Sequence, residues 1–167
     1  MIIRKAEVKD AEAISKIHAL SWKKAYQIML PQAYLDDLRE NFWTEAFENW
    51  ISNDHLTVKI IFDDELPVGC IAYGRSRDET KPQWGEIVSV YVLPEYYGKG
   101  FGSQLMINAI KDMREMGFEN LYLWVLNENR QAQLFYEKHG FIKTEDQLSF
   151  EIAGETKTDA RYIYRMK

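Results

Sequence analysis

Three glycines in one short loop, Gly98, Gly100 and Gly102, stand between a strand-like run and a helix-like one. Ile87, Val88, Val90, Tyr91 and Val92 make the first run rich in β-branched and aromatic residues, and Pro94 stops it. Over residues 103–116, Leu105, Met106, Ala109, Ile110 and Met113 recur at helical spacing. Strand, glycine turn and helix in that order build an anion site. The first amides of a helix lack intrahelical partners and sit at the positive end of its dipole, so a phosphate or diphosphate suits them. Glycine lets such a ligand approach the backbone. The spacing GxGxG is not the GxxG-containing dinucleotide fingerprint, and no Gly-Lys-Ser or Gly-Lys-Thr of a Walker loop occurs in the chain. A turn that merely satisfies helix geometry is the alternative.

The elements that must position this loop come from the rest of the chain. Its 167 residues, 46% hydrophobic and 14% aromatic, suit one packed domain spanning residues 1–167. A formal charge of −5 with no cluster of five or more Lys and Arg argues against nucleic acid as a partner. Cys70 is the sole cysteine, so no intrachain disulfide forms, and its apolar surroundings VGCIAY read as core. The N-terminal MIIRKAEVKD is too short an apolar run for a signal peptide, and nothing approaches the ~20 apolar residues of a membrane span. The expectation is a cytoplasmic protein with no membrane partner. His18, His55 and His139 are scattered without ligand spacing, so no metal is expected.

Residues 1–4 read as a first strand, and Asp10 as the cap of a helix carrying Ala13, Ile14, Ile17 and Leu20 on one face. A second helical region follows Pro31, with a break expected near Asn41. Trp22, Tyr26, Tyr34, Phe42, Trp43 and Trp50 belong to these helices and serve either as core or as walls of a substrate pocket. Residues 57–62 and 67–74 predict two antiparallel strands, and 75–84 a loop. LYLWVL, 121–126, lacks polar alternation and reads as a buried strand. Asn127 or Asn129 caps a helix over 130–139, Gly140 ends it, and a closing hairpin turns at 153–155. The order β, α, α, β, β, β, α, β, α, β, β gives an α+β fold: one domain with a mixed, mainly antiparallel central sheet flanked by helices.

VYVLPEYYGKGFGSQL resembles the acyl-CoA loop of the GNAT superfamily of N-acyltransferases: Arg or Gln, two residues, Gly, one residue, then Gly or Ala. Gly100 and Gly102 fill the glycine positions, while Tyr97 departs from the usual Arg or Gln. NENRQAQLFYEKHGF resembles a second motif of the same family, with Asn129, Ala132, Phe135, Tyr136, Gly140 and Phe141 in its positions. Two motifs in the right order identify the chain as resembling a GNAT N-acetyltransferase.

That resemblance implies acetyl-CoA as cosubstrate, with no metal, and direct transfer to an amine. A free alkylamine has a pKa near 10.4, so about one molecule in a thousand is ready to attack at neutral pH, and a base or a desolvating pocket must supply the rest. By resemblance Glu86 is a candidate base; otherwise it is an exposed carboxylate at a strand start. Tyr136 corresponds to the family's general acid, whose phenol protonates the departing thiolate; the rival is a structural tyrosine under the cofactor. Val90, Tyr91 and Val92 are expected to give main-chain groups to the pantetheine arm. Gly98, Lys99, Gly100, Phe101, Gly102 and Ser103 are expected to hold the diphosphate, with Lys99 either on it or solvated. Asn129 reaches the pantetheine or only caps its helix. The acceptor is expected to be a small-molecule amine; a protein lysine or N-terminal amine, and a non-enzymatic acyl-CoA-binding module, are the alternatives. A homodimer through the C-terminal strands is open.

Overall fold

The computed structural model describes residues 1–166. Its strands join one sheet in the order β1-β2-β3-β4-β5-β7-β6. They are β1 (Ile2–Lys5), β2 (Thr57–Asp63), β3 (Leu66–Arg75), β4 (Gly85–Val92), β5 (Asn120–Leu126), β6 (Ile142–Ile152) and β7 (Glu155–Arg165). Neighbours run antiparallel throughout, except that β4 and β5 are parallel because a helix connects them. The sheet is thus the mixed, mainly antiparallel one that the element order predicts.

Period-two alternation sends alternate side chains to two helical layers. Under α4 (Phe101–Glu115), Leu105, Met106, Ala109 and Met113 pack on Ile71, Tyr73, Ile87, Leu121, Leu123 and Tyr162, all nearly inaccessible to water. On the other face α1 (Ala11–Ala25) and α3 (Thr44–Ser52) lay Ile14, Ile17 and Phe47 over Val58, Ile60, Cys70 and Ala72. Cys70 is core, and burial pushes its thiol up to about 12, far from thiolate chemistry. α1 and α3 cover the sheet from β1 to β4; beyond β4 on the same face Tyr122, Leu126 and Arg161 are buried by other parts of the chain, while Leu148 of β6 is exposed.

Two local details depart from the sequence reading. Asp10 directly precedes α1 but caps none of its amides. Its carboxylate instead accepts from Arg4 at 2.7 and 2.9 Å and from the Glu7 amide at 2.8 Å, tying β1 to the turn. α4 begins at Phe101, two residues before the apolar spacing indicates, because Phe101 is itself core at 5% exposure. The region after Pro31 divides as expected, into α2 (Gln32–Asp36) and α3. No helix of the described residues is long and apolar enough to cross a membrane.

At Gly85, the first residue of β4, a Cβ would lie 2.5 Å from Met113 Cε and 2.7 Å from Leu121 Cδ2. Gly85→Val therefore overpacks the seam beneath α4 and lowers stability by about 1–3 kcal/mol. Urea denaturation at unchanged m-value checks this; a midpoint equal to wild type would contradict it.

Candidate active site

β4 and β5 pair only where Gly85 meets Leu121 and Glu86 meets Tyr122. The cause lies on the other edge of β4. In β3, Ala72 pairs with Ser89 and Tyr73 with Ile87, which leaves Val88 as an extra residue, and a bulge of this kind bends its strand. Beyond it β4 and β5 part, and a cavity of about 790 Å³ opens between them, lined by Val90, Tyr91 and Val92 on one side and by Trp124, Val125 and Leu126 on the other. The β4 edge from Ile87 onward has no strand partner on this side. An extended ligand can add to it as a strand does. At its end the Val92 carbonyl accepts from Ser21 Oγ at 2.8 Å, fixing α1 to the cavity wall. The Tyr91 side chain turns into the α1 layer, its ring 4.3 Å from that of His18, so its main chain alone serves the edge.

The glycine loop closes one end. Gly98 and Gly100 have φ of 74° and 90°, the left-handed region that side chains avoid. This winds the chain so that Gly100 becomes the N-cap of α4 and Gln104 makes the first helical bond, to the Gly100 carbonyl at 3.0 Å. The amides of Phe101, Gly102 and Ser103 precede that bond and have no helical acceptor. Gly98, Gly100, Phe101, Gly102 and Ser103 all line the cavity, as does Tyr97. Ser103 Oγ lies 3.1 Å from His139 Nε2, which sets a second hydrogen-bonding group beside the loop. Lys99 is exposed, with its ammonium 5.0 Å from the Tyr96 ring centroid.

In the middle of the cavity stand phenols. Asn129 caps α5 (Arg130–Lys138) by accepting from the Ala132 amide at 3.2 Å, and it is 7% exposed. Two α5 turns further, Tyr136 lines the cavity, and burial pushes its phenol well above the ordinary value, with Tyr26 adding to the shift. It is protonated at every physiological pH. Tyr26, just past the end of α1, has its hydroxyl 3.3 Å from that of Tyr91.

Glu86 also lines the cavity but is saturated with donors. Arg77 donates from its backbone amide at 3.1 Å, from Nε at 3.1 Å and from Nη2 at 2.7 Å, and the Tyr122 hydroxyl donates at 2.9 Å. Burial pushes the Glu86 pKa up, but those hydrogen bonds and the Arg77 charge outweigh it, and the carboxyl stays below its usual range. Glu86 can accept an amine proton only if Arg77 releases it.

Of the aromatic residues in the N-terminal helices, Trp22 and Tyr26 line the cavity while Trp43 and Trp50 pack against the α1–α3 core. Phe42 is 55% exposed. Among the lining residues that belong to neither motif are Arg77 in the loop after β3 and Asp159 in β7. Among the described residues no group of three His, Cys, Asp or Glu could hold a metal ion.

A free strand edge thus leads from an amide-lined helix N-terminus to a half-buried phenol. The chain belongs to the acetyltransferase (GNAT) family, whose profile matches residues 22–141. It is an N-acetyltransferase, as its homologues are. YuaI, an uncharacterized N-acetyltransferase of Bacillus subtilis, is 28% identical over 153 residues, 91% of this chain and 86% of that protein. A spermidine N(1)-acetyltransferase of Thermoplasma acidophilum is 29% identical over 149 residues, 86% of this chain and 89% of its own. The fold is shared with the crystal structure of PaiA N-acetyltransferase from Thermoplasma acidophilum in complex with coenzyme A, at a TM-score of 0.81 and 24% identity over 99% of this chain and 98% of that one.

Proposed function

We propose that the protein moves an acetyl group from acetyl-CoA directly to a primary amine of a small molecule, both substrates being bound at once. The observation that carries this reading is the splayed β4–β5 seam, with unpaired amides at one mouth and an aromatic-walled recess at the other. Solved relatives of this fold hold coenzyme A or acetyl-CoA, which supports the cosubstrate. The amides of Gly98 and Gly100 to Ser103 would take the diphosphate, and the main chain of Val90, Tyr91 and Val92 the pantetheine. A β4 amide directed at the thioester oxygen would stabilise the oxyanion of the tetrahedral intermediate. Asn129 keeps one side-chain oxygen on its cap and offers its amide to the cavity.

Tyr136 is the general acid in this reading. As the amine nitrogen bonds to the carbonyl carbon and the carbon–sulfur bond breaks, the thiolate takes the phenolic proton. The apolar surroundings that hold the phenol protonated also make a thiolate more basic, so donor and acceptor stay matched. Glu86 keeps its place as the resemblance's candidate base, under the condition that Arg77 swings away.

The test is release of coenzyme A thiol across a panel of small amines and of peptides with free N-termini or lysines. Turnover with small amines and none with peptides is expected. Preference for a peptide would replace the acceptor class, and coenzyme A binding without turnover on any amine would refute the enzymatic reading of this cleft.

A further inference from the structure

Charged side chains on the acceptor side of the cleft are paired, with one exception. Arg77 neutralises Glu86 at 2.7 Å. Arg161 lies 2.9 Å from Asp78 and 3.1 Å from Asp146. Lys157 is held by Glu128 at 3.0 Å and by Glu155 at 3.3 Å. Asp159 lines the same cavity and is half-buried, yet among the described residues no cation or donor pairs with its side chain.

The sheet register places that carboxylate. Asp159 stands opposite Leu126 in β5 and Leu148 in β6, both of which line the cavity, and directly paired residues share one face of a sheet. Its neighbour Ala160 points the other way, into the core beneath α4. This is the face on which α1 and α3 pack over the earlier strands. From the facing wall comes Tyr26. Burial raises the Tyr26 phenol, its bond to Tyr91 opposes the rise, and the nearby Asp159 charge adds to it. Tyr26 also adds to the rise of the Tyr136 phenol, and Tyr26, Tyr136 and Asp159 all line the one cavity.

We propose that Asp159 receives the acceptor's ammonium group and removes its proton, and that the rest of the acceptor is an apolar body bearing no second charge. The proposal rests on the reading of this cleft as the site of amine acetylation. Its second half follows from the walls. Trp22, Trp124, Leu148, Phe150 and Ile152 line the same cavity, and Glu86, the other acid in its lining, already holds Arg77. A polyamine's further ammonium groups would find no free partner.

The proton count closes. The ammonium gives one proton to the Asp159 carboxylate, and the freed nitrogen attacks the thioester carbon. The carbon–sulfur bond breaks and the thiolate takes the Tyr136 proton. A second proton leaves the nitrogen to restore the phenol, and Asp159 discharges to solvent when the amide departs. Burial holds the Asp159 carboxyl at about 6, so it is ionised at neutral pH and still basic enough to protonate. In an apolar recess a neutral amine beside a neutral carboxyl avoids the desolvation of an ion pair, which narrows the gap to an ordinary ammonium. The charged or titratable groups facing Asp159 are Tyr26 from α1, and Lys157 and Arg161 two residues away on its own strand, each held by acids. β6 presents Leu148 and Phe150, which do not titrate, and Asp146, which is paired with Arg161.

Asp159→Asn tests this with 2-phenylethylamine, hexylamine and spermidine as acceptors, Glu86→Gln serving as the comparison. In the wild type, kcat/KM is expected to rank the two monoamines above spermidine and to fall on acidification with an apparent pKa near 6. Asp159→Asn should lower it about a hundredfold and abolish that acidic limb, with the Kd for coenzyme A unchanged. Glu86→Gln should keep the limb whatever its rate. A carboxyl raised above its ordinary 3.8 destabilises the fold above pH 6, and this penalty fades between 6 and 3.8. Asp159→Asn should therefore raise the Tm at pH 8 and lose that advantage near pH 4. A purely structural carboxylate gives the Tm effect with the acidic limb intact, and that result overturns the proposal. A spermidine preference overturns its second half. Calorimetry of 2-phenylethylamine into coenzyme A-loaded protein is independent of turnover: binding weakened at least about tenfold by Asp159→Asn supports the proposal. Equal binding by both proteins, or none by the wild type, overturns it. Absence of thiol release with every amine, while that binding difference persists, refutes the acetylation reading instead.

Discussion

Replacing Tyr136 with phenylalanine lowers kcat about 10²–10³-fold while the Kd for coenzyme A changes less than about twofold. The ring stays, so the packing of Tyr136 beside Phe135 and Phe141 is preserved. The hydroxyl alone is lost, and with it the proton that the leaving thiolate needs in a recess lined mostly by apolar and aromatic side chains. Because burial holds the phenol above its ordinary pKa, no alkaline limb from Tyr136 is expected below about pH 10. Wild-type kcat in Tyr136→Phe would remove the residue from the chemistry and leave it as packing.

Gly102→Asp is expected to weaken coenzyme A about a hundredfold or more without destabilising the fold. Gly102 is the second residue of α4, and a Cβ there meets Phe135 at 3.4 Å, an ordinary contact, so the side chain fits. A carboxylate in the first turn complements the helix dipole by about 0.3–1 kcal/mol in the free protein. Facing a diphosphate at roughly 5 Å, the same charge costs about 3 kcal/mol at an effective dielectric of about 20, and 1.4 kcal/mol is tenfold in affinity. Affinity and Tm thus move in opposite senses. A variant that lost both together would show a folding defect, and one that kept its affinity would place the diphosphate elsewhere.

The glycine loop was legible in the sequence because its requirement is local. Gly98 and Gly100 adopt φ values that few other residues tolerate, and the apolar spacing of α4 follows at once. Asn129 was legible for the same reason, its cap being made three residues away. What stayed hidden depends on strands far apart in the chain. The bulge at Val88 that parts β4 from β5 arises from register with Ala72 and Tyr73, and no residue type marks it. Asp159 reads as an ordinary polar position in an alternating strand until pairing with Leu126 and Leu148 fixes which face it takes. Glu86 stands where the resemblance puts a candidate base, but the three bonds from Arg77 could not be foreseen across a loop of irregular backbone. Trp22 and Trp43 look alike in sequence, and one lines the cavity while the other joins the core. Helical periodicity gives the apolar face and not what that face meets.

A crystal structure with acetyl-CoA tests most directly where the cosubstrate sits. Diphosphate oxygens should lie within hydrogen-bond distance of the amides of Gly100 to Ser103, with the pantetheine along β4 from Val90 to Val92 and the thioester sulfur beside the Tyr136 hydroxyl. Cofactor bound outside the β4–β5 gap, or a diphosphate away from the start of α4, would contradict it.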